Sequence, residues 1–68
     1  MKYTIEYGNP NTNMKTVKVD NLESADRMFK KYKAFAENHN LTWVISMWGK
    51  DRFLIESIIV NPTKIHKM

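Results

Sequence analysis

Few residues of the chain have the types and spacing that chemistry requires. His39 and His66 are the two histidines, and neither has a carboxylate or a second histidine at the spacing of a metal site. His39 lies at the margin of a predicted amphipathic helix, where a histidine that packs at the helix end is the ordinary interpretation. Because the chain also has no cysteine, we predict no metal site and no cofactor.

Nucleophiles and acid–base pairs have no better support. Gly8 and Gly49 are isolated turn glycines, so no phosphate-binding loop is indicated. The four glutamates could form a carboxylate pair only through tertiary proximity. No serine has the glycine context of a nucleophile turn, whether Ser24, Ser46 or Ser57. We therefore predict a protein that is not an enzyme and has no small-molecule substrate.

The length and composition limit the class of protein. The chain has 68 residues, which suits one domain, and a domain of this size buries only about 60% of its unfolded surface. We predict a single domain over residues 1–61 and a basic tail over 62–68. The sequence has no apolar run of the length of a signal peptide core or a membrane span. Together with the lack of cysteine, this predicts a cytoplasmic protein without a membrane partner.

The first third of the chain predicts a hairpin. Residues 2–7 (KYTIEY) alternate, with Tyr3, Ile5 and Tyr7 on one face, which is the pattern of a half-buried strand. Residues 8–13 (GNPNTN) are turn formers that end this strand. Residues 14–19 (MKTVKV) form a weaker strand in which Val17 and Val19 share a face. The two strands are therefore expected to pair.

A helix is predicted at about residues 22–38. Asn21 is a good N-cap, and Glu23 lies in the first turn, where the helix dipole favours an anion. Asn38 and Asn40 tolerate the left-handed conformation that often ends a helix. At 100° per residue the apolar side chains form one stripe, made of Leu22, Ala25, Met28, Phe29, Tyr32, Phe35 and Ala36.

Two further strands, over residues 41–48 and 52–60, flank the turn signal Gly49-Lys50-Asp51. Asn61-Pro62 ends the second of them, because proline cannot donate to a sheet ladder. The fold class that follows is α+β, in the order ββαββ. It consists of a four-stranded antiparallel sheet with one helix packed on one face.

This second hairpin has apolar side chains on both faces. In its first strand Trp43, Ile45 and Met47 oppose Val44, Ser46 and Trp48. In its second strand the alternation places one group of side chains on one face and the other group on the opposite face. The first group is Phe53, Ile55, Ser57 and Ile59, and the second is Leu54, Glu56, Ile58 and Val60. One helix can cover only one face of the sheet, so the other face keeps a tryptophan and several aliphatic side chains.

Two explanations of this excess apolar surface remain open. The sheet can curl while the tail folds across it, with Ile65 as the plug. Alternatively, the second face is an interface for a second copy of the chain, as a homodimer, or for a host protein. The tryptophan that is not under the helix would be its anchor. The candidate partner-binding residues are Trp43, Val44, Trp48, Lys50, Arg52, Leu54 and Ile58.

Nucleic-acid binding is the alternative function. The net charge is +4, and a sheet that carries aromatic side chains can stack bases. The helix argues against it, because Glu23 with Arg27 and Asp26 with Lys30 form i,i+4 pairs, a pattern typical of a solvated face. The candidate contacts are therefore in strand 2, the hairpin tip and the tail, namely Lys15, Lys18, Trp48, Lys50, Arg52, Lys64 and Lys67.

The pattern DNLESADRMFKKYKAFAENHN, followed by a tryptophan-containing hairpin, resembles small orphan proteins of phages and mobile elements of low-GC Gram-positive bacteria. The resemblance is one of sequence style over most of the chain, and it assigns no functional residues. It implies a binding protein, which would be either an inhibitor of a host or defence protein, of which anti-CRISPR proteins are one class, or an accessory DNA-maintenance factor.

Overall fold

A computed structural model describes residues 2–61 of the protein, and the predicted tail at 62–68 lies outside the described residues. The elements follow the order β1 (Tyr3–Gly8), β2 (Met14–Val19), α1 (Leu22–Asn38), β3 (Trp43–Trp48) and β4 (Leu54–Val60). The predicted ββαββ fold class is thereby confirmed. Among these residues no helix is both long and apolar enough to cross a membrane.

The four strands form one antiparallel sheet in the order β2-β1-β3-β4. The two predicted hairpins pair internally, and β1 pairs with β3 at the centre. Because β2 and β3 are each antiparallel to β1, they run parallel to one another. The helix therefore carries the chain from one edge of the sheet, over β1, to the far side of β1.

The core lies between α1 and the two central strands. Ile5 of β1 and Ile45 of β3 are completely buried, and α1 packs mainly on these two strands. Phe29 is the large side chain that the helix buries, while Ala25 and Ala36 allow the helix backbone to lie close to the sheet. Partly buried side chains complete this layer, namely Tyr3, Tyr7, Val19, Met28, Tyr32, Leu41, Trp43 and Ile58.

Both predicted ends of the helix are confirmed. The side chain of Asn21 accepts a hydrogen bond from the Ser24 N–H at 2.8 Å, so this donor of the first turn is satisfied. Asn40 takes the left-handed conformation just beyond the helix, with φ of 55°. Five members of the predicted stripe are buried or half-buried, whereas Leu22 and Phe35 are exposed. At 100° per residue these two residues lie at the opposite margins of the stripe.

The β3–β4 hairpin contains an irregularity that the sequence did not predict. Met47 pairs with Glu56, but the next residue, Trp48, pairs with Leu54, so Ile55 is the extra residue of a bulge. Cross-strand partners lie on the same face of a sheet. The bulge therefore brings Leu54 to the face of Trp48, and the predicted grouping of Leu54 with Ile58 and Val60 is wrong.

The turn that joins these strands is longer than predicted, and β4 begins two residues after the predicted start at residue 52. Residues Lys50–Arg52 form a short 3-10 turn, and Asp51 and Arg52 both have φ of 60°. The Gly49 N–H donates to the Phe53 carbonyl at 2.6 Å and closes the loop. Because this loop uses the residues up to Phe53, β4 begins at Leu54.

Replacing the helix cap tests the local stability of this fold. We expect Asn21→Ala to lower the free energy of unfolding by about 1 kcal/mol, because the Ser24 N–H loses its acceptor. Urea denaturation followed by circular dichroism measures the change. Asn21→Ser is the matched control, since it retains a capping oxygen. Equal losses in the two variants would show that the cap hydrogen bond is not the cause.

Candidate functional site

The face of the sheet that α1 leaves uncovered, here called the open face, is partly covered by Trp48. The Trp48 indole N–H donates to a Glu6 carboxylate oxygen at 3.0 Å, so the ring leans across β3 toward β1. The guanidinium of Arg52 lies 5.4 Å from the centre of the Trp48 ring, within the range of a cation–π contact. Trp48 is therefore half-buried, and part of the apolar excess is covered by the chain's own hairpin.

A serine pair lies in the middle of the open face. Ser46 and Ser57 face one another across β3 and β4, and their hydroxyl oxygens are 3.0 Å apart. Ser46 is buried although it lies on the side away from the helix. Small hydrogen-bonded hydroxyls leave this region shallow, so the large apolar groups of the open face are concentrated at the β4 side.

The largest exposed apolar side chains of the hairpin lie in β4 and the residue before it. We call these residues the β4 patch, namely Phe53 (70% exposed), Leu54 (46%), Ile55 (41%) and Ile59 (52%). The bulge contributes to the patch, because it turns Leu54 toward the open face and leaves Ile55 without a partner in β3. The β4 patch therefore covers the outer strand and Phe53, the residue that precedes it.

The two edges of the sheet differ in how they are protected. β2, at one edge, carries Lys15 and Lys18, and charged side chains of this kind discourage pairing with another strand. β4, at the other edge, has Glu56 as its single charged residue and contains neither lysine nor proline. Within residues 2–61 no strand pairs with the outer side of β4. Its backbone therefore offers hydrogen-bonding groups next to the β4 patch.

A second surface lies on the face of the sheet that α1 covers, at the end of the strands far from the β3–β4 turn. It is rich in aromatic rings. Tyr7 and Tyr32 stack with centroids 3.9 Å apart and planes 11° apart. The Trp43 ring lies 5.4 Å from Tyr7 and 5.4 Å from Phe35. Next to these rings is an open cavity of about 560 Å³, which Lys31, Ala34 and Asn38 also line. We call this surface the aromatic trough.

The aromatic trough continues into a neighbouring depression of about 340 Å³. Tyr7, Phe35 and Trp43 line both cavities, and the second is bounded by the β1–β2 loop and by Lys15. Gly8 starts this loop with φ of 139°, and a Cβ there would lie 2.7 Å from the Asn13 carbonyl oxygen, so the loop requires glycine. The fixed loop forms one wall of the trough.

The phenol groups of the trough are partly removed from water. Burial raises the pKa of the Tyr32 phenol above its usual value, and the neighbouring Tyr7 phenol acts in the same direction. Tyr32 therefore keeps its proton over the ordinary range of pH. The rings then present a neutral surface.

The structure divides the predicted partner-binding residues between the two faces. Val44, Trp48 and Leu54 lie on the open face, with Lys50 and Arg52 in the adjoining turn. Trp43 and Ile58 lie on the helix side, where both pack against the core. The tryptophan that is not under the helix is thus Trp48. The proposed plug, Ile65, lies outside the described residues.

The predicted nucleic-acid contacts are also divided. Lys18, Lys50 and Arg52 line a depression of about 330 Å³ at the hairpin tip, together with Lys2 and Asp51. Trp48 borders an adjoining depression. Lys15 lies at the far end of the sheet, on the helix side, where it faces Tyr7 across β1 and β2. Lys64 and Lys67 lie outside the described residues.

Sequence reasoning missed several residues of both surfaces. Phe53, Ile55 and Ile59 are not among the predicted candidates. The apolar residues on both faces of β4 and its lack of lysine are visible in the sequence, but only the strand order shows that β4 is an edge. The sequence predicts Tyr7 on the apolar face of β1, and Tyr32 and Phe35 in the apolar stripe of α1. Their meeting with Trp43 depends on which strands are neighbours, and no local signal in the sequence gives that order.

His39 is the one histidine among the residues that the structure describes, and it lies at the end of α1. His39 packs on Phe35 with ring centroids 4.2 Å apart, and its Nδ1 lies 3.0 Å from the Phe35 carbonyl oxygen. This is the predicted packing role at a helix end. Over residues 2–61 no three histidine, aspartate or glutamate side chains come together in a metal-binding group.

Comparison with known proteins finds no family model, no curated protein and no solved structure that matches this chain.

Removing the indole donor tests whether Trp48 is held on the open face. We expect Trp48→Phe to lower the free energy of unfolding by about 1 kcal/mol, since the Glu6 carboxylate loses its hydrogen bond and the site is only partly buried. Chemical denaturation measures the loss. Glu6→Gln retains an acceptor oxygen and is expected to lose less. A larger loss in Glu6→Gln than in Trp48→Phe would contradict the assignment.

The Tyr32 phenol gives a test at alkaline pH. Because its pKa in the folded state lies above the unfolded value, its contribution to stability is full below the unfolded pKa, near 10, and is lost as the pH rises through the raised value. We expect Tyr32→Phe to remove a step above pH 10 from a tyrosinate absorbance titration. A titration curve that keeps this step in the variant would assign the raised pKa to another tyrosine.

Proposed function

We propose that this protein is an interaction module that self-associates, with β4 of one copy pairing against β4 of a second copy. The observation that carries the proposal is the β4 edge, which combines the exposed β4 patch with a strand that has neither lysine nor proline. Pairing two such edges would join two four-stranded sheets into one continuous sheet and would cover apolar side chains on both copies.

The contrast between the two edges supports β4 over β2 as the contact. A β2–β2 contact would bring Lys15 and Lys18 of each copy toward the same residues of the other, and like charges across a strand pair are destabilising. At β4 the repulsion is limited to Glu56. Antiparallel pairing of identical edges also produces a closed twofold dimer, since the same surface contributes from both copies.

Another protein could use the same edge. An extended strand of a different protein adds to an exposed sheet edge by the same main-chain hydrogen bonds. If the chain is an inhibitor, as the sequence resemblance implies, that different protein would be its host or defence target. A second copy is the preferred occupant, because the β4 patch is apolar and a twofold axis would place the same apolar edge on both sides of the contact.

The hairpin-tip hypothesis for nucleic acid stays a prediction. The depression at the tip combines Lys2, Lys18, Lys50 and Arg52 with Asp51. The Trp48 ring, however, already contacts Glu6 and Arg52 of the same chain. Because a base would have to displace these contacts in order to stack on Trp48, the tip is favoured less than self-association.

Sedimentation velocity over a wide range of protein concentration tests the dimer. We expect the unmodified protein to show a concentration-dependent dimer. Ile59→Lys is expected to raise the dimer dissociation constant at least about tenfold, because a lysine at an apolar contact must be desolvated without a partner. Ile59 is 52% exposed, so the fold should persist, and circular dichroism checks this.

The matched control is Met14→Lys, which adds the same charge at an exposed apolar position on the β2 edge. It is expected to leave the dimer unchanged. Hydrogen exchange locates the contact independently, since the amides of β4 should exchange more slowly in the dimer than in Ile59→Lys. A monomer at every concentration, or equal effects of the two lysines, would overturn the proposal.

A further inference from the structure

The aromatic trough has the composition of a binding site that the β4 contact does not use. It lies on the helix side, away from the β4 patch, and two cavities of about 560 and 340 Å³ share three of its rings. Ligand pockets generally have volumes of about 300–1,000 Å³ with apolar walls and a few polar groups. Phe35 is 44% exposed although it is a large aromatic residue, so part of its ring is open to solvent even though His39 and Trp43 lie beside it.

The charges around the trough have one sign. Lys31 borders the larger cavity and Lys15 borders the smaller one, while no aspartate or glutamate of the described residues lines either cavity. A ligand that complements this surface carries negative charge at both ends of a planar apolar body. Repeated phosphates with bases between them provide that combination, whereas a small anion provides only the charge.

The polar groups at the rim suit the same chemistry. Asn38 borders the larger cavity, and Asn9, Thr12 and Asn13 of the β1–β2 loop border the smaller one. Neutral amides and hydroxyls can both donate and accept, as the edges of unpaired bases require. The loop itself is held, since the Asn11 N–H donates to the Asn9 side chain at 2.7 Å.

We propose that the aromatic trough binds single-stranded nucleic acid. Bases stack on Phe35 and on the accessible part of Trp43, and the backbone phosphates lie near Lys15 and Lys31. Stacking tolerates any base, because every base has a π face. A duplex is excluded from this mode, since its bases are already stacked on one another. The proposal is independent of the β4 dimer, because the two surfaces share no residue.

The test uses fluorescently labelled oligothymidylate and oligouridylate, with a duplex of equal length as a further probe, and measures anisotropy over a range of salt. We expect the unmodified protein to bind both single strands more tightly than the duplex. Phe35→Ala should weaken binding at least about fivefold, as expected for the loss of one stacked base. Phe35→Leu, which retains an apolar side chain, should also weaken binding and serves if the alanine variant fails to fold.

The lysines are tested together. The double variant Lys15→Gln with Lys31→Gln should weaken binding and reduce the slope of log K against log salt by about 1.4, which is the value for two phosphate contacts on a single strand. Lys33→Gln is the matched control, because Lys33 is an exposed lysine of the same helix that lines neither cavity. It should leave the affinity and the slope nearly unchanged.

Fluorescence separates the trough from the hairpin tip. In a Trp48→Phe background Trp43 is the remaining tryptophan, and stacking of a base on it should quench its emission. A complex that forms without quenching, or that is abolished by the double variant Lys50→Gln with Arg52→Gln but not by the trough variants, would overturn the proposal. Absence of binding to either single strand would overturn it as well. Sedimentation of the same samples reports the dimer separately.

Discussion

The antiparallel pairing of β1 with β3 is the contact on which the rest of the structure depends. These two central strands contribute Ile5 and Ile45, the largest completely buried side chains, and α1 packs mainly on them. The pairing also determines which strands are left at the edges. Because β1 is bonded on both sides and β3 on both sides, β2 and β4 each keep one free edge within the described chain.

The two proposed surfaces follow from this arrangement in different ways. The β4 patch exists because β4 is the outer strand, because Ile59 lies on the face that α1 does not cover, and because the bulge at Ile55 turns Leu54 toward the same face. The aromatic trough exists because the ends of β1 and β3 meet the last turns of α1, which brings Tyr7 and Trp43 beside Phe35. One surface depends on the edge of the sheet and the other on its centre.

Features encoded locally could be predicted from the sequence. Asn21 satisfies the Ser24 N–H three residues away, so the start of the helix requires no knowledge of the sheet. The alternation in β1 and β2 places Ile5 and Val17 correctly, because one face of these strands is buried under the helix. The same holds for the ion pairs Glu23–Arg27 and Asp26–Lys30, at 3.7 and 3.1 Å, which are spaced by one helical turn.

Features that depend on contacts between distant residues could not be predicted. The alternation of residues 52–60 continues through the bulge, so it gave no sign that Leu54 changes face. The role of Trp48 was open, because its hydrogen bond to Glu6 joins strands whose adjacency the sequence does not state. The trough was missed for the same reason, since its rings come from three elements.

The crossover of α1 has a consequence for the order in which the chain folds. Each hairpin joins strands that are close in sequence, but the hydrogen bond from Trp48 to Glu6 spans 42 residues. Closing a loop of that length costs entropy that the hairpins do not repay alone. The central pair is expected to form late and cooperatively, and folding should be slower than in a helical bundle of equal length.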